Sequence, residues 1–381
     1  MQDRVEQGSS RVEQRSSRVE QGSAGIEQRS SRVEQGSVGI EQRSAGIEQR
    51  SSRVEQSSAG VEESRGSVAD PPAGLASELA AELAAAALEP APEPAEWPPV
   101  EWAKGAVDQD GNTIVYTDLG PADGPVILLV HGMISDSTTW ARAAHGLAAA
   151  GFRVIAPDLL GHGESSKPAD GGYLLPDFAN SLQRLLTELG TGPVTVVGHS
   201  LGGAVVMQLA KDHPELVRRL VLVSAGGIGR RIHPVFRAVT LPGAHPLFRL
   251  TLNRRTSALL RRPRLHRSLR LPEDVLTNLE RAGRGLITPG GRAAFFRTLR
   301  GAINSAGQRG SLIDLGYLPR SLPTLIAWSV DDPIVPVEHA YQVHRYLTAS
   351  RLELFDGATH QPHHQHAERF VAALADFIRD T

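Results

Sequence analysis

From about residue 102 to the end of the chain, short apolar runs alternate with segments whose apolar residues recur at helical spacing. The runs predict strands at 113–117, 126–130, 153–156, 194–197, 220–223, 324–328 and 352–355. The helical pattern predicts helices at 139–150, 176–189, 202–212, 338–346 and 367–379. This alternation predicts an α/β domain with a mostly parallel central sheet and helices on both faces.

The alternation stops between two parts of the predicted core, 101–225 and 319–381. The intervening residues 226–318 are helix-prone and too long for a plain loop, so we expect an inserted helical cap over the carboxyl edge of the sheet. Residues 226–300 contain sixteen arginines and only three acidic residues. The pattern fits a solvated basic surface, or a surface that attracts anionic substrates or anionic lipid.

The first 100 residues have a different composition. Residues 1–66 are dominated by a seven-residue repeat with Val or Ile once per unit, and Gly, Ser or Arg where a coiled coil needs a second apolar residue. We therefore expect residues 1–66 to be disordered and to serve as an interaction tail. Alternatively, translation that starts at Val68 would leave the repeat out of the protein. Residues 67–100 form an Ala- and Pro-rich linker.

Composition limits the classes of function. The chain has 381 residues, a formal net charge of −2 and no cysteine, which excludes disulfides, thiolate metal sites and a cysteine nucleophile. There is no apolar stretch long enough to span a membrane and no basic-then-apolar leader, so we expect a cytoplasmic protein. No nucleic-acid-binding motif is visible.

The most informative motif is Gly198-His199-Ser200-Leu201-Gly202, between a predicted buried strand and a predicted apolar helix. Gly-x-Ser-x-Gly in this setting is typical of a nucleophile elbow, a tight turn that presents the serine hydroxyl at the end of a sheet. Gly198 and Gly202 leave room for the turn. The motif therefore indicates Ser200 as a nucleophile.

A serine nucleophile needs a base and a carboxylate that orients the base. His360 follows a predicted strand and a Gly-containing turn, which makes it the candidate base. Two adjacent aspartates follow the preceding strand; Asp332 is the candidate carboxylate and Asp331 is its competitor. The other histidines of the loop, 363, 364 and 366, are expected to be polar loop residues, since no ligand spacing supports a metal site.

Acyl chemistry also needs donors for an oxyanion. Backbone N–H groups of Leu201 and Met133 are the candidates, because Leu201 follows the nucleophile and Met133 follows a strand that ends at His131-Gly132. Gly132 allows a close approach of the backbone. His131 is expected to be a structural loop residue and not the base.

With these motifs in this order, residues 102–381 resemble the α/β-hydrolase fold family with a cap domain. The order Ser200, Asp332, His360 is that family's nucleophile–acid–histidine order, and the stretches 158–165 and 360–370 also match. Thr359 and Ser329 depart from the family pattern, which more often has glycine at both positions.

The resemblance implies a serine hydrolase without a cofactor. Serine at the elbow argues against epoxide and dehalogenase chemistry and favours cleavage of a carboxylic ester through an acyl-enzyme. The resemblance extends to C–C bond hydrolases of ring-cleavage pathways, and the fold also includes non-catalytic ligand-binding proteins. The expected partner is a small molecule with an apolar acyl group, with peripheral contact to anionic lipid through the cap as a further expectation.

Overall fold

The computed structural model describes residues 102–241, 243, 286, 288–310 and 316–381. Ten strands lie in this part of the chain, most of them short and apolar. They are β1 Ala103–Gln109, β2 Asn112–Leu119, β3 Val126–Val130, β4 Arg153–Pro157, β5 Val194–His199, β6 Val217–Val223, β7 Ile303–Asn304, β8 Gly307–Gln308, β9 Thr324–Ser329 and β10 Ser350–Phe355.

Eight of these strands form one sheet in the order β1-β2-β4-β3-β5-β6-β9-β10. The hairpin β1–β2 and the pair β2–β4 are antiparallel, and every following pair is parallel. The prediction of a mostly parallel sheet is confirmed. Because β3, β5, β9 and β10 run in the same direction, the loops that follow them meet at one edge.

Helices cover both faces of this sheet, as predicted. A 3-10 turn, Ser137–Trp140, precedes the first α-helix, and another, Pro214–Leu216, precedes β6. The α-helices are α1 Ala141–Ala149, α2 Leu175–Glu188, α3 Leu201–Asp212, α4 Pro234–Val239, α5 Pro289–Ala302, α6 Glu338–Tyr346, α7 Pro362–Gln365 and α8 Ala367–Asp380.

The strand side chains alternate between two apolar cores, one on each face. On β3, Leu128 packs with residues of α2, α3 and α6, whereas Leu129 packs with residues of α1 and α8. On β5, Val196 packs in the same core as Leu128, and Val197 packs in the same core as Leu129. Both faces of the strands are buried, which is why these runs read as continuously apolar in the sequence.

The described part of the predicted cap contains α4, α5 and the hairpin β7–β8. A third apolar cluster, which includes Val239, Phe295, Phe296, Leu299 and Ile303, lies in these elements. The hairpin was not predicted, since each of its strands has only two residues.

The predicted repeat 1–66, the linker 67–100 and most of residues 242–315 lie outside the described residues. In the part of the chain that the structure describes, no helix combines the length and the apolar character needed to cross a bilayer.

Candidate active site

Ser200 lies at the junction of β5 and α3, in a sharp turn with φ 52° and ψ −117°. A positive φ is strained for a residue with a Cβ, so neighbouring bonds must hold it. The Ser200 N–H donates to the carbonyl of Val223 at 3.0 Å, and its carbonyl accepts from Gly203 and Gly226 at 3.0 and 2.8 Å. The backbone of the elbow is therefore fixed at both of its polar groups.

The two elbow glycines make this turn possible. A Cβ on Gly198 would stand 2.3 Å from the carbonyl oxygen of Gly202. A Cβ on Gly202 would stand 2.3 Å from the carbonyl oxygen of Val130, at the end of β3. Neither position can hold a larger side chain without movement of the backbone, so the sequence pattern has a steric cause.

His360 and Asp332 are in direct contact. The His360 Nδ1 lies 2.9 and 3.1 Å from the two carboxylate oxygens of Asp332. The Asp332 side chain is 0% exposed, and the His360 side chain is 15% exposed. A buried carboxylate on Nδ1 holds the ring with its other nitrogen available for proton transfer.

The backbone positions the carboxylate in turn. The N–H groups of Ile334 and Val335 donate to Asp332 Oδ1 at 2.8 and 3.0 Å. The neighbouring Asp331 is exposed. The structure thus brings Asp332 to His360 and leaves Asp331 in solvent.

The His360 ring and Ser200 lie at the same edge of the sheet, each partly buried. Asp332 is the only hydrogen-bond partner of the His360 ring within the described ranges. The His360 ring is therefore not hydrogen-bonded to the Ser200 hydroxyl in this structure. In free serine hydrolases, the distance between the hydroxyl and the imidazole is often long and shortens when substrate binds.

The loop after β3 packs directly on the elbow. A Cβ on Gly132 would stand 3.1 Å from the Ser200 Cβ, so the glycine allows the loop to approach Ser200 closely. Leu201 begins α3, where the first N–H groups of a helix have no partner inside the helix and favour an anion.

His131 is completely buried and shapes this loop. Its Nε2 accepts from the Leu159 N–H at 3.0 Å, so Nδ1 carries the proton and donates to the Gly132 carbonyl at 2.8 Å. Both ring nitrogens are engaged. The arrangement fits the structural role expected for His131 and orients the peptide between Gly132 and Met133.

Asp158 ties the loop after β4 to the loop after β3. Its buried carboxylate accepts from the N–H groups of Ser137 and Glu164, both at 2.7 Å. Burial alone would raise the pKa of Asp158, but the hydrogen bonds from Glu164 and Ser137 act against burial, and the pKa is lowered. The carboxylate therefore stays ionised, and its bond from the Ser137 N–H fixes the loop that follows β3.

His162, in the same loop, makes the fold sensitive to acid. Burial lowers the pKa of His162 to about 3. An unfolded histidine has a pKa of about 6.5, so the unfolded chain binds this proton first as the pH falls. Through this group, we expect the free energy of unfolding to be independent of pH above about pH 6.5. Between pH 6.5 and 3 it should fall by about 1.4 kcal/mol for each unit by which the pH is lowered.

Urea unfolding at a series of pH values measures this effect. In His162→Asn, an amide can still donate to the carbonyl of Leu160, as Nδ1 does now at 3.0 Å, but it cannot titrate. Between pH 6 and 4, the slope of the free energy of unfolding against pH should be smaller in the variant by about 1.4 kcal/mol per pH unit, which is the contribution of one proton. Equal slopes in the two proteins would show that His162 does not carry the effect.

Three further residues around His360 could not be identified from the sequence. His199 Nε2 lies 2.8 Å from the His360 carbonyl, and Gln365 Oε1 accepts from both the N–H and the hydroxyl of Thr359, at 2.7 and 3.1 Å. The expectation of a polar loop was wrong for His363, which is buried against Trp140 with ring centroids 4.1 Å apart. The Gln365 side chain thus holds Thr359, the residue before His360, through both of its donors.

Within the described ranges, no group of three or more histidine or carboxylate side chains is placed to hold a metal ion.

Comparison with known proteins agrees with this architecture. Residues 125–367 match the model of the alpha/beta hydrolase fold family. The chain belongs to the α/β-hydrolase fold family, as its sequence motifs predicted.

Three similar proteins span this part of the chain. An uncharacterized protein of Mycobacterium tuberculosis is 39% identical over 271 residues, covering 68% of this chain and 76% of that protein. The 2-hydroxymuconate semialdehyde hydrolase of Pseudomonas sp. strain CF600 is 30% identical, covering 67% and 87%. The crystal structure of an esterase from Rhodococcus sp. ECU1013 matches with a TM-score of 0.54 and 25% identity, covering 73% and 98%.

Proposed function

We propose that this protein is a serine hydrolase that cleaves a carboxylic ester through an acyl-enzyme on Ser200. The observation that carries the proposal is the buried contact between Asp332 and His360 at the same sheet edge as the strained Ser200. These three side chains supply what the reaction needs: a partly accessible hydroxyl, a base and a group that orients the base.

In the first half of the reaction, His360 Nε2 takes the proton of the Ser200 hydroxyl as Oγ attacks the ester carbon. The Asp332 carboxylate stabilises the imidazolium that forms. His360 then returns the proton to the leaving alcohol, the C–O bond breaks, and the acyl group stays on Oγ. In the second half, His360 takes a proton from water as the water oxygen attacks the acyl carbon. The C–O bond to Ser200 then breaks, His360 returns the proton to Oγ, and the acid leaves.

The negative charge of each tetrahedral intermediate needs fixed donors. We assign the backbone N–H groups of Met133 and Leu201 to this role. Support comes from the contact of Gly132 with Ser200, from the His131 bond that orients the Met133 peptide, and from the start of α3 at Leu201. Removing one such donor in a serine hydrolase costs about 10²–10³ in kcat.

The substrate group that we propose is apolar. Met133, beside the nucleophile, packs against both the main core and the apolar cluster of the cap, as does Phe236. Ile134 and Ile232 pack against the cap cluster as well. An acyl chain entering over Ser200 would therefore meet hydrocarbon on the side of the cap.

The basic surface of the cap has a partly structural explanation. Arg237 donates to the Ser305 carbonyl at 2.8 Å, Arg292 donates to the Leu286 carbonyl at 3.0 Å, and Arg231 lies 3.5 Å from Glu338. These arginines stabilise the backbone of the described part of the cap and its junction with α6. Attraction of anionic lipid by the remaining arginines stays a prediction.

A substrate panel tests the proposed reaction. We expect turnover of p-nitrophenyl esters with short and medium acyl chains, with kcat/KM rising as methylene groups are added until the apolar site is filled. A vinylogous diketo acid represents the second candidate, C–C bond hydrolysis, which the similarity to 2-hydroxymuconate semialdehyde hydrolase favours. A higher kcat/KM for the diketo acid than for every ester would replace ester hydrolysis with that activity.

A further inference from the structure

His199 lies on the elbow, and its side chain reaches the loop that carries His360. Its Nε2 lies 2.8 Å from the His360 carbonyl oxygen, and the centroids of the two imidazole rings are 4.8 Å apart. The residue next to the nucleophile therefore contacts the backbone of the residue that we propose as the base.

This contact determines which nitrogen of His199 carries the proton. A carbonyl oxygen only accepts, so Nε2 is protonated and donates. Nδ1 is buried and has no hydrogen-bond partner within the described ranges, and a Cβ on Gly132 would stand only 3.0 Å from it. Burial, with a further contribution from the nearby His360, lowers the pKa of His199 well below its usual range. His199 therefore stays neutral when His360 gains a proton.

His360 is thus held at two points by different parts of the sheet. Asp332, which follows β9, fixes the ring, and His199, at the end of β5, fixes the main chain. Because Ser200 immediately follows His199, the second bond ties the base to the same short segment as the nucleophile. A displacement of about 1 Å in such a pair can lower the rate by about 10²-fold.

We propose that His199 is a positioning residue, whose Nε2–H bond to the His360 carbonyl holds the base in register with the Ser200 hydroxyl. The proposal rests on the proposed function, since it takes Ser200 and His360 as nucleophile and base. His199 acts through His360 and does not touch the reacting atoms, so its loss should lower kcat and leave KM unchanged.

Two substitutions separate the hydrogen bond from the packing of the ring. His199→Gln keeps an N–H donor but loses the ring that lies 4.6 Å from His363 and 6.5 Å from Trp140. His199→Phe keeps a ring and has no donor. We expect the Gln variant to retain kcat within about tenfold of the wild type and the Phe variant to lose about 10²-fold, both with KM within about twofold. His199→Leu, which also lacks a donor, replaces the Phe variant if that variant does not fold.

The rate at which an organophosphonate reacts with the full chain, followed by intact mass, provides a second readout that needs no substrate. The proposal predicts slow phosphonylation of the Phe variant and fast phosphonylation of the wild type and the Gln variant. Equal rates in all three proteins, or a faster Phe than Gln variant, would overturn the role of His199 alone. A wild-type protein that does not react at Ser200 would overturn the proposed function as well.

Discussion

Replacement of Ser200 by alanine is expected to lower kcat for ester hydrolysis by about 10⁵–10⁶-fold, because the proposed acyl-enzyme forms on the hydroxyl that this substitution removes. The residual rate should come from substrate binding and the oxyanion donors alone. Steady-state kinetics with a p-nitrophenyl ester, after removal of any contaminating esterase, measures the loss.

Thermal melting supplies the control for this variant. Alanine keeps the Cβ and therefore the strained φ of 52°, so Ser200→Ala should melt near the wild-type temperature. Ser200→Gly should be equally inactive but more stable, because glycine adopts a positive φ without strain, which costs about 1–3 kcal/mol for other residues. Near-wild-type turnover in either variant would contradict a covalent role for Ser200.

The second large effect is expected at Asp332. Asp332→Asn should lower kcat by about 10⁴-fold, because the amide does not stabilise the imidazolium and favours the wrong tautomer of His360. The Asn carbonyl oxygen would keep the bonds from the N–H groups of Ile334 and Val335, which now donate to Oδ1, so the NH₂ group would face His360 Nδ1. The kinetics of the purified variant with the same ester measure this loss.

Asp331→Asn is the matched control, since it makes the same chemical change one residue away. Asp331 is exposed, so we expect kcat within about twofold of the wild type and no change in melting temperature. A large loss in Asp331→Asn with little loss in Asp332→Asn would exchange the two assignments.

The core strands were predictable because burial on both faces makes their sequences continuously apolar, and the helices were predictable because their apolar residues recur at helical spacing. The prediction of 126–130 coincides with β3, and that of 338–346 coincides with α6. Strand β1 was missed because its side chains are mostly exposed and it lies at the edge of the sheet. The turn Asp110-Gly111, with positive φ at both residues, is a hairpin signal that could have revealed it.

The predicted site residues each follow a strand or begin a helix, so parallel topology alone brings them to one edge. The geometry also separates Asp332 from Asp331, which sequence spacing left open. His199 could not be recognised in advance because its role depends on a contact between distant parts of the chain. His199 is 161 positions from the carbonyl it binds, and no local pattern records such a contact.

The most direct test of the catalytic account is a crystal structure of the organophosphonate adduct. It should show phosphorus bonded to Ser200 Oγ and the phosphoryl oxygen about 2.7–3.1 Å from the backbone nitrogens of Met133 and Leu201. His360 Nε2 should face the oxygen on the leaving-group side. An adduct on another residue, or a phosphoryl oxygen directed away from both nitrogens, would contradict the account.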